Sequence, residues 1–151
     1  MISIRVEAAD FNIAEEQKLL LSRVSATGAV VAFTGVVREF VKDQRLISMM
    51  LEHYPGMTEK ALFAIAEQAK SRWDLSAITI IHRIGHLHAN EQIVLVLVSS
   101  MHRGEAFSGC EFIMDYLKTE APFWKKEFFE TGESNWVDAR HSDDLAKHRW
   151  Q

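Results

Sequence analysis

Lys118, Lys125 and Lys126 crowd around one proline in the stretch MDYLKTEAPFWKKE, residues 114–127. A crowded ammonium group loses part of its preference for the charged form. It can then exchange protons or act as a nucleophile. Phe107, Cys110, Ile113, Met114 and Leu117 recur at helical spacing up to Lys118, and Pro122 ends that helix. The chain bends there, bringing Lys125 back towards Lys118, with Phe123 and Trp124 anchoring the return against the core. Neighbours on an extended segment point to opposite faces, so only one of Lys125 and Lys126 can face inward, and Lys125 is the expected one. The plainer alternative for Lys118 is a cation stabilised by the carbonyl end of the helix dipole.

Two further groups of cations lie elsewhere in the chain. His102 and Arg103, in SSMHRGEAF, fall where an apolar strand gives way to a helix, and unpaired N–H groups at a helix start attract anions. Arg38 closes the strand VVAFTGVVR. Taken alone, each also reads as a solvated surface group or a cap. They gain meaning only by meeting at one anion.

Rival chemistries have weaker support. His82, His86 and His88 in HRIGHLH approach metal-ligand spacing, but no HExxH motif or adjacent carboxylate accompanies them, and no metal site is expected. There is no GxSxG elbow, P-loop or GxGxxG. The single cysteine, Cys110, excludes an internal disulfide and any CxxC motif, and its helical setting makes it a small core residue.

These residues must be positioned by 151 residues, of which 48 % are hydrophobic and 25 % charged: enough for one domain, 1–151, without metal or disulfide support. With a net charge of −4, nothing in the composition points to nucleic acid, so any anion site is local. No run is apolar enough for a membrane span and the first residues do not resemble a signal peptide, so a cytoplasmic protein is expected. Strands are read at 2–6, 28–37, 46–54, 77–84, 92–100 and across FWKKEFF. Helices are read at 13–24, 57–73 and from Gly104 to before Pro122, with a last helical turn in SDDLAKHRW. Strands that follow one another without a helix between them argue against a doubly wound parallel sheet. The fold class expected is α+β, with a mixed, largely antiparallel sheet.

FTGVVR, LEHYPGMTEKAL, IIHRIG, SSMHR, FIMDYLKTEAPFWKKE and WVDAR follow one another in an order and spacing that resemble the large, catalytic subunit of molybdopterin synthase. The resemblance covers residues from about 28 to 150 and weakens over the first strand and helix. It implies an α/β hammerhead fold with additional strands. It also implies a sulfurtransferase of molybdenum cofactor biosynthesis that converts cyclic pyranopterin monophosphate to molybdopterin. The two sulfurs would come from a small ubiquitin-like carrier subunit bearing a C-terminal Gly-Gly thiocarboxylate, within a heterotetramer built on a homodimer of large subunits.

Lys118 and Lys125 resemble the family's catalytic lysines, and no cofactor is implied. Val36, Val37, Arg38, His102, Arg103, Lys126 and Glu127 correspond to substrate-binding positions, and Arg140 to an arginine contributed across the dimer. Some relatives carry lysine at position 36, so Val36 is expected to contribute backbone only. A non-catalytic module binding a phosphate or carboxylate is the competing reading of the same basic residues.

Overall fold

The structure is a computed structural model and describes residues 1–137 and 141–151. Its central sheet has the strand order β1 (Ile2–Glu7), β5 (Leu75–Arg83), β7 (Gln92–Ser100), β2 (Ala29–Val36). Only β1 and β5 run parallel; β5 with β7 and β7 with β2 are antiparallel. Strand alternation sorts β5 and β7 into two apolar faces. Ile78, Ile80, Val94, Val96 and Val98 face helices α2 (Met57–Arg72) and α3 (Arg103–Glu120). Ala77, Ile81, Leu95 and Leu97 meet Phe11 and Leu20 beneath α1 (Ile13–Ser22). This is why the expected strand at 92–100 is almost uniformly apolar: layers cover it on both sides.

The second sheet is smaller, in the order β3 (Phe40–Val41), β4 (Gln44–His53), β8 (Phe123–Phe129), β9 (Ser134–Val137), with β6 (Gly85–His88) also paired to β4. Val37, Leu46, Met49, Leu51, Leu87 and Phe129 form its core. A last helix, α4 (His141–His148), precedes a docked C-terminus.

The expected helices and main strands are all present, with ends displaced by up to a few residues. FWKKEFF is the strand β8. The short strands β3, β6 and β9 were not expected from sequence; two to four residues carry no usable periodicity, and cross-strand pairing alone defines them. The mixed, largely antiparallel α+β class is as read.

Close approach of α3 to the sheet depends on Gly109. A Cβ there would lie 2.8 Å from Leu75 Cδ1, closer than packed carbons tolerate. The C-terminus clamps the other side of α3. Asp115 accepts from Arg149 (2.8 Å) and from the Trp150 indole (2.7 Å), while Trp150 packs edge-on against Trp73 and Phe112.

Candidate active site

α3 and β2 run in the same direction along one side of the molecule. At one end, Gly28 and Ala29 border an open pocket of about 490 Å³ with Met101, His102, Arg103 and Gly104. Further along, Phe33 shares a groove with Met114. The far end holds the last turn of α3, with Lys118, and the exit of β2, with Arg38. Lys118 and Arg38 therefore share an end of the layer, and both are exposed.

The bend after α3 is fixed from outside the helix. Thr58, fully buried in the first turn of α2, donates its hydroxyl to the Pro122 carbonyl at 2.9 Å and accepts from the Tyr54 N–H at 2.9 Å. The α2 start is itself held by Glu59, whose carboxylate accepts from the Gly56 N–H (3.1 Å). Beyond the bend, β8 pairs antiparallel with β4, with Phe123 opposite His53 and Lys125 opposite Leu51. The alternation expected of Lys125 and Lys126 is present. Lys125 shares a face with Phe123 and the buried Glu127, whereas Lys126 lies over the Phe128 and Trp136 rings at 5.5 and 5.6 Å.

His82, near the end of β5, completes this cluster. It aligns across the sheet with Val94 and so with Gly35, in the last row before the register shift at the exit of β2. Its ring stacks on Phe123 with centroids 3.8 Å apart, and its Nδ1 lies 2.8 Å from the Arg83 carbonyl. That carbonyl can only accept, so Nδ1 carries the proton and donates. Burial pushes the imidazole down to about 4 against the opposing pull of the carbonyl, and the charges of Lys118, His53 and Lys125 push in the same direction as burial. One chain thus gathers Lys118, Lys125, His53 and a neutral His82 around the Pro122 bend.

Other residues singled out in the sequence lie elsewhere. His102 and Arg103 begin α3 while Lys118 sits in its last turn. At 1.5 Å per residue the fifteen residues from Arg103 to Lys118 separate them by about 22 Å. A single chain does not bring these two groups to one hollow. Val36 is exposed at the end of β2. Val37 is fully buried, its N–H donating to Glu91 and its carbonyl accepting from Asn90, so it fixes the base of Arg38. Arg140 lies outside the described residues. The three histidines of HRIGHLH do not converge: His82 Nδ1 goes to Arg83, His86 Nε2 to the Ser48 hydroxyl and His88 Nδ1 to Glu91. Among the described residues no group of three or more His, Cys, Asp or Glu side chains is placed to hold a metal ion. Cys110 is buried, and burial pushes its thiol up to about 12.

His82, His53 and Thr58 were missing from the site expected on sequence grounds. His82 had a signal, a histidine at the polar end of an otherwise apolar strand, but its stacking and coupling to the lysines arise only from packing. Thr58 looks like an ordinary first-turn residue until Pro122 is brought against it.

Fold and site define an α+β protein that gathers cations at the far end of its central helix. Residues 6–120 match the family model described as MoaE protein, and the chain belongs to that family. It is 53 % identical over 150 residues to the molybdopterin synthase catalytic subunit of Ralstonia nicotianae, covering 99 % of this chain and 85 % of the relative. The Vibrio cholerae protein of the same name is 51 % identical over 148 residues, covering 98 % and 97 %. Among solved structures, the molybdopterin biosynthesis MoaE protein from Burkholderia ambifaria superposes with a TM-score of 0.86 at 49 % identity, covering 99 % of this chain and 98 % of that one.

Proposed function

We propose that this protein is the catalytic subunit of a molybdopterin synthase, a sulfurtransferase that converts cyclic pyranopterin monophosphate to molybdopterin. The observation that carries this reading is the meeting of Lys118 and Lys125 at the buried His82 around the Pro122 bend, in a chain about half identical to proteins bearing that name. The sulfur donor is a small ubiquitin-like carrier whose C-terminal Gly-Gly ends in a thiocarboxylate. "Catalytic subunit", the name its relatives carry, presupposes such a second subunit.

The chemistry suits the residues. A phosphate ester and a thiocarboxylate are both anions, and bringing them together away from water is costly unless cations meet them. Arg38 offers a forked, charge-assisted donor set for phosphate. Lys118 and Lys125 can move protons and stabilise negative charge as sulfur adds and oxygen leaves. The lone cysteine is buried and protonated, so the attacking sulfur belongs to the carrier.

His102 and Arg103 enter the same site from a second copy. β2 is an edge strand, and Phe33, Met101 and Phe107 beside it are exposed. Two copies docked antiparallel along β2 and α3 place the α3 start of one against the α3 end of the other. A carrier bound to each large subunit then gives a heterotetramer. A cytoplasmic location belongs to the same reading, as the place of a biosynthetic sulfur transfer; no helix among the described residues is long and apolar enough to cross a membrane.

The decisive experiment is turnover of the pterin substrate with thiocarboxylated carrier by wild type and by Lys118→Ala. Loss of product with retained carrier binding supports catalysis. Full product formation by the variant would leave only a binding module.

A further inference from the structure

We propose that His82 is a positioning residue of the lysine site. The Arg83 carbonyl takes its Nδ1–H, which leaves the single lone pair of Nε2 as the acceptor offered to the Lys118 and Lys125 ammonium groups, orienting them. The inference rests on the sulfur-transfer reading of this site and adds to it the group that holds the lysines.

Three observations converge on it. First, the tautomer is set by an acceptor that cannot donate: Nδ1 lies 2.8 Å from the Arg83 carbonyl, which leaves Nε2 without a proton as long as the ring is neutral. Second, the ring plane is fixed by Phe123, stacked at 3.8 Å and 20°. Phe123 is also the residue from which β8 starts, and Lys125 lies two residues on along the same face, about 7 Å further. Ring and lysine are therefore registered to each other by one strand. Third, the charged or titratable groups coupled to the ring come from each element around it: Lys118 from α3, His53 from β4 and Lys125 from β8. All are groups that can carry positive charge. A protonated imidazole would add another beside a site built for two anions, and it would have no lone pair to offer an ammonium. Burial keeps the ring neutral and so keeps it an acceptor.

The test compares three variants. His82→Gln keeps a polar group near the place of Nε2. His82→Asn keeps one near Nδ1 and leaves the Nε2 place empty. His82→Phe keeps the flat ring against Phe123 and loses both nitrogens. Each is measured for Tm, for kcat and KM with thiocarboxylated carrier, and for the pH at which the Lys118 and Lys125 side-chain NMR signals titrate in the protein without carrier.

Asn and Phe are expected to lower kcat about tenfold or more with KM for carrier nearly unchanged. Their lysine signals should titrate at lower pH than in wild type, because the ammonium has lost an acceptor. Gln should restore most of both. A fall in Tm with the lysine titrations and kcat left at wild-type values means a packing role only and overturns the proposal. Equal behaviour of Gln and Asn overturns it as well, and this comparison holds even where Phe fails to fold. The NMR arm needs no turnover: a wild-type protein that transfers no sulfur sinks the functional reading, while the titrations still decide the place of His82.

Discussion

Thr58 and Pro122 lie 64 residues apart and are joined by one hydrogen bond of 2.9 Å from the threonine hydroxyl to the proline carbonyl. The same hydroxyl accepts from Tyr54 N–H, so a single buried oxygen ties the end of β4 and the start of α2 to the bend between the lysines. Thr58→Val preserves shape and removes both interactions. A group left unpaired costs about 1–3 kcal/mol when fully buried, and both of these bonds are partly buried, so the variant should lose roughly 2 kcal/mol of stability. Chemical denaturation measures that loss. Activity at a temperature where the variant is still folded should also fall, because the bend that brings Lys118 and Lys125 to His82 is no longer held.

The two faces of β8 separate the lysines by role. Lys125→Ala is expected to lower kcat by on the order of 10²–10⁴, the range for loss of a proton-transferring group. Lys126, seated over Phe128 and Trp136 on the other face, should cost less than about tenfold when replaced by alanine. Single-turnover assays on both variants give the comparison. Equal losses would mean that strand alternation does not divide the work.

Stability should depend on His82 below neutral pH. In the unfolded chain the ring takes up a proton near pH 6.5, whereas in the folded protein it does so only near 4. Between these values the unfolded state binds more protons, so stability rises with pH. The contribution is present in full above about 6.5 and is lost as pH falls towards 4. A shift of this size corresponds to about 3 kcal/mol. Urea titrations from pH 4 to 7 should show a steeper dependence for wild type than for His82→Phe.

Gly28 tests how the α3 start is held. A Cβ at this position would collide with the Met101 carbonyl, which is backbone and cannot swing aside. Gly28→Ala should therefore destabilise by about 1–3 kcal/mol or more. It should also weaken turnover through His102 and Arg103. Mixing an Arg103→Ala protein with a Lys118→Ala protein gives the corresponding assembly test: subunit exchange should restore activity, because hybrids contain one intact site.

Much of the fold was legible because its signals are local. The 3.6-residue stripe of α3, the alternation of β8 and the two-sided apolar run of β7 each sit within a few turns of chain. The lysine pair was legible for the same reason, with Lys118, Pro122 and Lys125 all falling in one short stretch. Convergence of His102 and Arg103 on that pair within one chain was not, although the helix that separates them is plain in its apolar stripe. An 18-residue rigid helix already forbids its two ends from meeting. The neutral state of His82 could not be read at all, since it depends on burial beneath a ring from β8 and on cations that α3, β4 and β8 bring near it.

Cys110 has one thiol's worth of sulfur to offer and keeps it out of reach, packed against the sheet and firmly protonated. An enzyme that hands sulfur from one molecule to another without ever holding it on its own chain has no step that peroxide can poison at this residue. Oxidant sensitivity of the reaction should therefore follow the carrier's thiocarboxylate and not Cys110.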